Sequence, residues 1–114
     1  MSTCSICNKE INQLQGRNRT RCNSCNTRVR RHRTKIKAVA LLGGECNRCG
    51  YKENIVALEF HHKDASKKEF AIGAAANKSW NSIEEEILKC ELLCSNCHRI
   101  EHSNRDDAIF LSFV

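Results

Sequence analysis

Residues 92–102 read LLCSNCHRIEH, and the rest of the chain is best read outward from them. Cys94 and Cys97 form a CxxC pair, His98 follows directly, and His102 comes four residues later. On a helix, residues four apart share a face, so both imidazoles reach a single ion. An HxxxH pair alone reads equally well as two surface histidines. Cys97 directly before His98 anchors the helix start and favours the chelate. Such a pair needs a third ligand from elsewhere in the chain.

The next histidines stand in LEFHHKD, residues 58–64, at the end of the alternating run IVALEF. Alternation predicts a strand with Val56, Leu58 and Phe60 on one face. Successive side chains then point to opposite faces, so His61 and His62 do not grip one ion together. A division of labour follows: one ligates, and the other stays free to take a proton near neutral pH. Four of the five histidines thus fall in two clusters, each near a CxxC pair.

Eight of the nine cysteines form four such pairs, Cys4/Cys7, Cys22/Cys25, Cys46/Cys49 and Cys94/Cys97. Two four-thiolate zinc sites need this spacing. A disulfide scaffold is the alternative, but residues 1–10 show no apolar leader core, so a reducing, intracellular setting is expected. With 114 residues and 5% aromatic content, core burial alone is meagre, and metal staples would supplement it. Cys90, the odd cysteine, reads as a small buried residue on the helix before the last pair.

Charge divides the chain. Residues 1–44 hold ten Lys/Arg and one acid (+9), and residues 45–114 hold nine Lys/Arg and twelve acids (−3). Residues 27–42 predict a helix with Val29, Ile36, Val39 and Leu42 as its apolar stripe and Gly43–Gly44 as its stop. Its first half carries Arg28, Arg30, Arg31, His32, Arg33, Lys35 and Lys37 with no acid, which suits DNA phosphates. Base readout by Arg17, Arg19 or Arg21 is compatible with the sequence but not required by any spacing. SIEEEILK predicts a further helix with Ser82 as cap and Glu85 closing a capping box. Trp80 and Tyr51 read as packing residues, and Glu59 or Asp64 as groups able to orient a histidine. No apolar run is long enough to span a membrane.

The order CxxC, strand ending His-His, then CxxC-His and a further His resembles the HNH nuclease family. The matching stretches are CNRCG at 46–50, LEFHHKD at 58–64 and LLCSNCHRIEH at 92–102, covering roughly residues 45–103. The likeness is greatest to the small HNH endonucleases of bacteriophages. It implies a treble-clef-like ββα-metal core pinned by a structural zinc on Cys46, Cys49, Cys94 and Cys97. It further implies His62 as general base, and His61, His98 and His102 as ligands of a catalytic divalent ion. Asn96 is the candidate for the family's asparagine, with Asn77 and Asn81 in the interval where many members carry it. The family is usually described with Mg2+, whereas three imidazoles favour softer ions such as Mn2+ or Ni2+.

The expected whole is a small α+β zinc protein. Residues 1–44 form an N-terminal zinc knuckle or ribbon, with structural zinc on Cys4, Cys7, Cys22 and Cys25, plus the basic helix. Residues 45–114 form the HNH core. The expected activity is nicking or double-strand cleavage of DNA. One core carries one ion and one base, so a double-strand break needs two copies or two visits. The apolar tail (Ile109, Phe110, Leu111, Phe113) would serve a homodimer. The rivals are a non-catalytic zinc-containing DNA-binding protein and a zinc adaptor for another protein, which the basic arm disfavours.

Overall fold

The structure, a computed structural model, describes residues 2–11, 20–75, 77–103 and 105–114. Arg17 and Arg19 therefore lie outside the described residues. The protein is a small α+β chain with two antiparallel two-stranded sheets. A short hairpin of β1 (Ser2–Thr3) and β2 (Glu10–Ile11) brackets the Cys4–Cys7 turn. Helix α1 (Asn23–Leu41) follows, then strand β3 (Leu58–His62), helix α2 (Trp80–Ile87), strand β4 (Cys90–Cys94) and helix α3 (Ser95–His102). Helix α4 (Arg105–Leu111) ends the chain.

Helix α1 starts at Asn23 rather than residue 27, because Cys22 caps it: its Sγ accepts from the Cys25 N–H at 3.4 Å. A thiol cap gives no Ser/Asp signal in the sequence. The stop falls where expected. Gly43 and Gly44 have φ of +102° and +80°, and Gly44 N–H donates to Val39 O at 2.9 Å. The packing face differs from the expected stripe, since Ile36 is 57% exposed while Ala38 and Val39 are buried. Ala38, Val39 and Leu42 continue the face that carries Arg31 and Lys35 one and two turns earlier. That face is the one turned to the sheet.

The run IVALEF is not all strand. Asn54 accepts from the Val56 N–H at 2.9 Å and starts a 3-10 turn over Ile55–Ala57. Val56 consequently turns outward, 69% exposed, whereas Leu58 is buried. From Leu58 onward β3 pairs with β4 in a register that sets Leu58 opposite Cys94, Phe60 opposite Leu92 and His62 opposite Cys90. These six side chains share one face, while Glu59, His61, Glu91 and Leu93 share the other. Cys90 is 2% exposed, as expected of a small apolar residue, but it opens a strand instead of lying on a helix.

Helix α2 is capped by Ser79, whose Oγ accepts from the Ser82 N–H at 3.3 Å, and not by Ser82. The helix is one turn longer at its start, with Trp80 partly buried at its first position. Ile83 and Ile87 are buried together as the stripe predicts. Within the stretch 70–80 that the sequence leaves undecided, Ile72–Ala74 form a 3-10 turn before this cap.

Two apolar clusters make the core. One gathers Ala38, Ile72, Ala75, Ile83, Ile87 and Cys90; the other gathers Val39, Cys46, Leu58, Leu92, Leu93 and Cys94. Leu42 and Phe60 pack against both and join them. The C-terminal half of α1 is thus part of the same core as the segments beyond residue 45. The tail residues Phe110, Leu111 and Phe113 are exposed. No described helix is long and apolar enough to cross a membrane.

Leu92 is fully buried between the sheet and α1. Leu92→Ala is expected to cost about 2–5 kcal/mol in urea unfolding of the zinc-loaded protein. A loss under about 1 kcal/mol would contradict this packing.

Candidate functional site

Each half of the chain builds a four-cysteine cluster, and both are built alike. Cys4 and Cys46 each begin a tight turn: Asn8 N–H returns to Cys4 O, and Gly50 N–H to Cys46 O, both at 3.0 Å. The turn ends on a left-handed residue in both cases, Asn8 at φ 63° and Gly50 at φ 77°. The second pair of each cluster starts a helix. Cys22 caps α1 through the Cys25 N–H, and Cys94 caps α3 through the Cys97 N–H.

Within each cluster the sulfur atoms lie within 4.8 Å of one another. Cys7 and Cys22 Sγ are 3.8 Å apart, and Cys49 and Cys94 Sγ are 3.6 Å apart. Two thiolates bound at ~2.3 Å to a tetrahedral ion stand about 3.8 Å apart, whereas a disulfide needs ~2.05 Å. Both clusters therefore fit zinc, and all nine cysteines are free thiols. Backbone N–H groups of Cys7, Cys22 and Ile6 bring the Cys4 thiol down to about 6. At Cys46 burial pushes the thiol up, but N–H groups from Cys49, Cys94 and Arg48 outweigh it and leave it at about 6. Backbone donors aimed at sulfur favour the thiolate that a metal requires.

A third cluster lies on the far side of β3. His61, His98 and His102 offer nitrogen atoms within 4.8 Å of one another. His98 and His102 come from α3, four apart on one face, and their Nε2 atoms are 3.0 Å apart. Glu59 Oε1 lies 3.4 Å from His98 Nδ1. An Nδ1–H donated to Glu59 leaves Nε2 with a bare lone pair aimed at the shared centre. Burial lowers the His61 pKa, and His102 and His98 lower it further, so the neutral, ligating form is favoured. The rings meet at 57° to 76°, presenting edges rather than stacked faces. A three-nitrogen donor set fits a divalent transition ion and leaves coordination positions open.

Arg48 ties this cluster to the neighbouring zinc turn. It donates to Glu91 at 2.9 Å and to Glu101. Glu91 is opposite His61 in the ladder, and Glu101 Oε1 is 3.8 Å from His61 Nε2. The Arg48 guanidinium holds the Glu101 carboxyl below the usual range. No spacing in the sequence joins residues 48, 91 and 101.

His62 faces the other way. Its Nε2 is 3.1 Å from Glu86 Oε2 of α2. Glu86 is 1% exposed and is also held by Lys89 Nζ at 3.1 Å and by the Glu69 N–H at 3.3 Å. Burial alone pushes its carboxyl up, but Lys89, His62 and the Glu69 N–H together leave it below the usual carboxylate range. An ionised Glu86 accepts, so His62 Nε2 carries a proton toward it.

Glu86 rather than an asparagine is therefore the group brought to His62. Asn96 is exposed at the start of α3, near the end of the sheet where Leu58 meets Cys94. His62 lies four residues along β3 from that end, about 13 Å. Asn77 and Asn81 are exposed. Asp64 caps the 3-10 turn over Ala65–Lys67, accepting from Ser66 N–H at 3.0 Å, and orients no histidine. The sequence carries a missed signal for Glu86: it lies three residues after Ile83 and one before Ile87, on the buried stripe.

The basic residues of α1 divide into two stripes. Arg28, Arg31 and Lys35 border a cavity of about 490 Å³ that His62 also lines. Arg30, Arg33 and Lys37 border another with Lys78 and Trp80, where Lys37 Nζ sits 5.2 Å from the indole centroid. Arg21 is half-buried just before the Cys22 cap. Glu59 is the residue common to the cavity beside His62 and the hollow of His98 and His102.

No family model, curated protein or solved structure matches this chain.

After saturation with zinc and dialysis, the protein is expected to retain two zinc ions per chain by elemental analysis. Calorimetric titration of this material with Ni2+ should reveal one further, weaker site. His98→Ala should abolish that site with both zinc ions retained. Glu59→Gln should weaken it by about 10–100-fold, the usual cost of a lost outer partner. A third ion unaffected by His98→Ala would place the transition-metal site elsewhere.

Proposed function

We propose that the chain is a metal-dependent DNA endonuclease of the HNH type, with a treble-clef-like ββα-metal core. The observation that carries this reading is the three-imidazole cluster of His61, His98 and His102. Structural zinc sites close all four positions with protein ligands, whereas three ligands leave room for a water or a phosphate oxygen. The order of turn, antiparallel strand pair and helix around Cys46, Cys49, Cys94 and Cys97 supports the same reading. So does the cationic face of α1 beside His62.

His61, His98 and His102 would hold the catalytic ion, with His98 aligned by Glu59. A bound divalent ion supplies charge stabilisation to the phosphoryl oxygens and to the departing 3′ oxygen. His62 would take the proton of the attacking water on Nδ1, while Glu86 keeps the ring in place and stabilises the imidazolium. His62 and the three-histidine cluster lie on opposite faces of β3. A phosphodiester crossing the open edge of that strand would meet His62 from one side and the cluster from the other. Arg28, Arg31 and Lys35 would hold the flanking phosphates. Hydrolysis in this manner leaves 5′-phosphate and 3′-hydroxyl ends. Three imidazoles favour Mn2+ or Ni2+ over Mg2+ in this role.

Cleavage of supercoiled plasmid by the zinc-loaded protein tests the reading. Nicking is expected with added Mn2+ or Ni2+, with less in Mg2+ and none in EDTA. His62→Ala, checked for folding by circular dichroism, should lower the rate by about 10²–10⁴-fold. Glu86→Gln should lower it as well and shift the pH profile, because the pair no longer holds an ionised partner. If the wild type binds plasmid and nicks it with none of these ions, a non-catalytic zinc-containing DNA-binding protein takes the place of the nuclease.

A further inference from the structure

We infer that the cavity between α1 and residues 68–73 seats an unpaired single strand of DNA; the choice of DNA over RNA and the cleavage step rest on the nuclease reading. The cavity holds about 490 Å³ and has two kinds of wall. Its rim is cationic, with Arg28, Arg31 and Lys35 from α1 on one side and Lys68 on the other. Its floor is apolar, with the half-buried Phe60 and the buried Ile72. Among the described residues Glu59 is the one carboxylate on the lining, and it is engaged with His98. No carboxylate pairs with Arg28, Arg31, Lys35 or Lys68 among the described residues.

Charge complementarity selects a polyanion, and the floor selects among polyanions. A paired duplex keeps its base faces stacked inside and offers only phosphates and groove edges. It has nothing to place on Phe60 and Ile72. An unpaired strand has exposed base faces as well as phosphates, and a cationic groove with an apolar or aromatic platform is how such strands are held. Arg28, Arg31 and Lys35 recur at helical spacing along one side of the groove, so they follow a backbone instead of clamping one phosphate. His62 lies on the same lining, which places the seated strand against the residue assigned as base. The favoured substrates are thus single-stranded, flapped or branched DNA.

Gly73 gives a way to test the floor apart from the charge. Gly73 lines the cavity and a Cβ there meets nothing within 4 Å, so a side chain can be added at the lining without a clash at its base. Fluorescence anisotropy would use the zinc-loaded full chain with no added catalytic ion. The probes are a fluorescein-labelled DNA strand of roughly 15 nucleotides, its blunt duplex, and an RNA of the same sequence. The single DNA strand should bind at least about tenfold tighter than the duplex. Arg31→Glu and Gly73→Leu should each weaken single-strand binding by about fivefold or more, with Lys52→Glu, outside the groove, changing it less than about twofold. Equal or tighter binding of the duplex or of the RNA overturns the assignment. So does unchanged single-strand affinity in a folded Gly73→Leu. Plasmid cleavage on the same preparation judges the nuclease reading separately: loss of nicking leaves the anisotropy result standing, and loss of strand preference leaves nicking standing.

Discussion

The constraint on which the rest depends is the closure of Cys46, Cys49, Cys94 and Cys97 around one point. Cys94 does three things there. It faces Leu58 in the β-ladder, caps α3 through the Cys97 N–H, and supplies a sulfur to the cluster. Fixing Cys94 fixes the register of β3 against β4. In a strand with a two-residue period, a slip of one position would exchange the faces of His61 and His62. The cysteine closure therefore decides which histidine joins His98 and His102 and which meets Glu86.

The second consequence is electrostatic. Glu86 is buried on the α2 stripe that carries Ile83 and Ile87, where an isolated carboxylate would be driven to its neutral form. Three donors hold it ionised: Lys89, the Glu69 N–H and His62. Taking one donor away leaves the charge underserved, so the arrangement fixes the His62 ring firmly. On the opposite face, Glu59 and the Arg48–Glu101 pair surround the three imidazoles in the same manner. Both faces of one five-residue strand carry a histidine backed by a carboxylate, with quite different neighbours.

The local design at Cys46–Cys97 repeats at Cys4–Cys25, down to the returning N–H bonds and the thiol-capped helix. The difference lies between the two cysteine pairs. In the first copy the strand described there, β2, is two residues long and carries no histidine. In the second, five-residue strands bring His61 and His62 onto the sheet and bury Leu92 and Leu93 beneath α1 and α3. The first cluster then has a structural part: it anchors the start of α1, whose cationic face borders the cavity beside His62.

The sequence by itself determined the two cysteine clusters, the opposite facing of His61 and His62, and the meeting of His98 with His102. The histidine placements are local matters of spacing and period, the same in any fold that forms these elements, and the clusters follow from four thiolates per ion although Cys49 and Cys94 stand 45 residues apart. It carried the cationic half of α1 and, on the buried stripe of α2, the position of Glu86, though the meaning of that carboxylate was hidden. Val56, Ile36 and Ser82 misled because the strand, the helix face and the cap were settled by neighbours: the Asn54 turn, the sheet under Ala38 and Val39, and Ser79 one turn upstream. Only the tertiary structure decided that Glu86 and not Asn96 reaches His62, that Arg48 spans to Glu91 and Glu101, and that Lys68 closes the cavity against α1. Those pairings join positions 24 to 53 residues apart, and nothing short of the folded core brings such positions together.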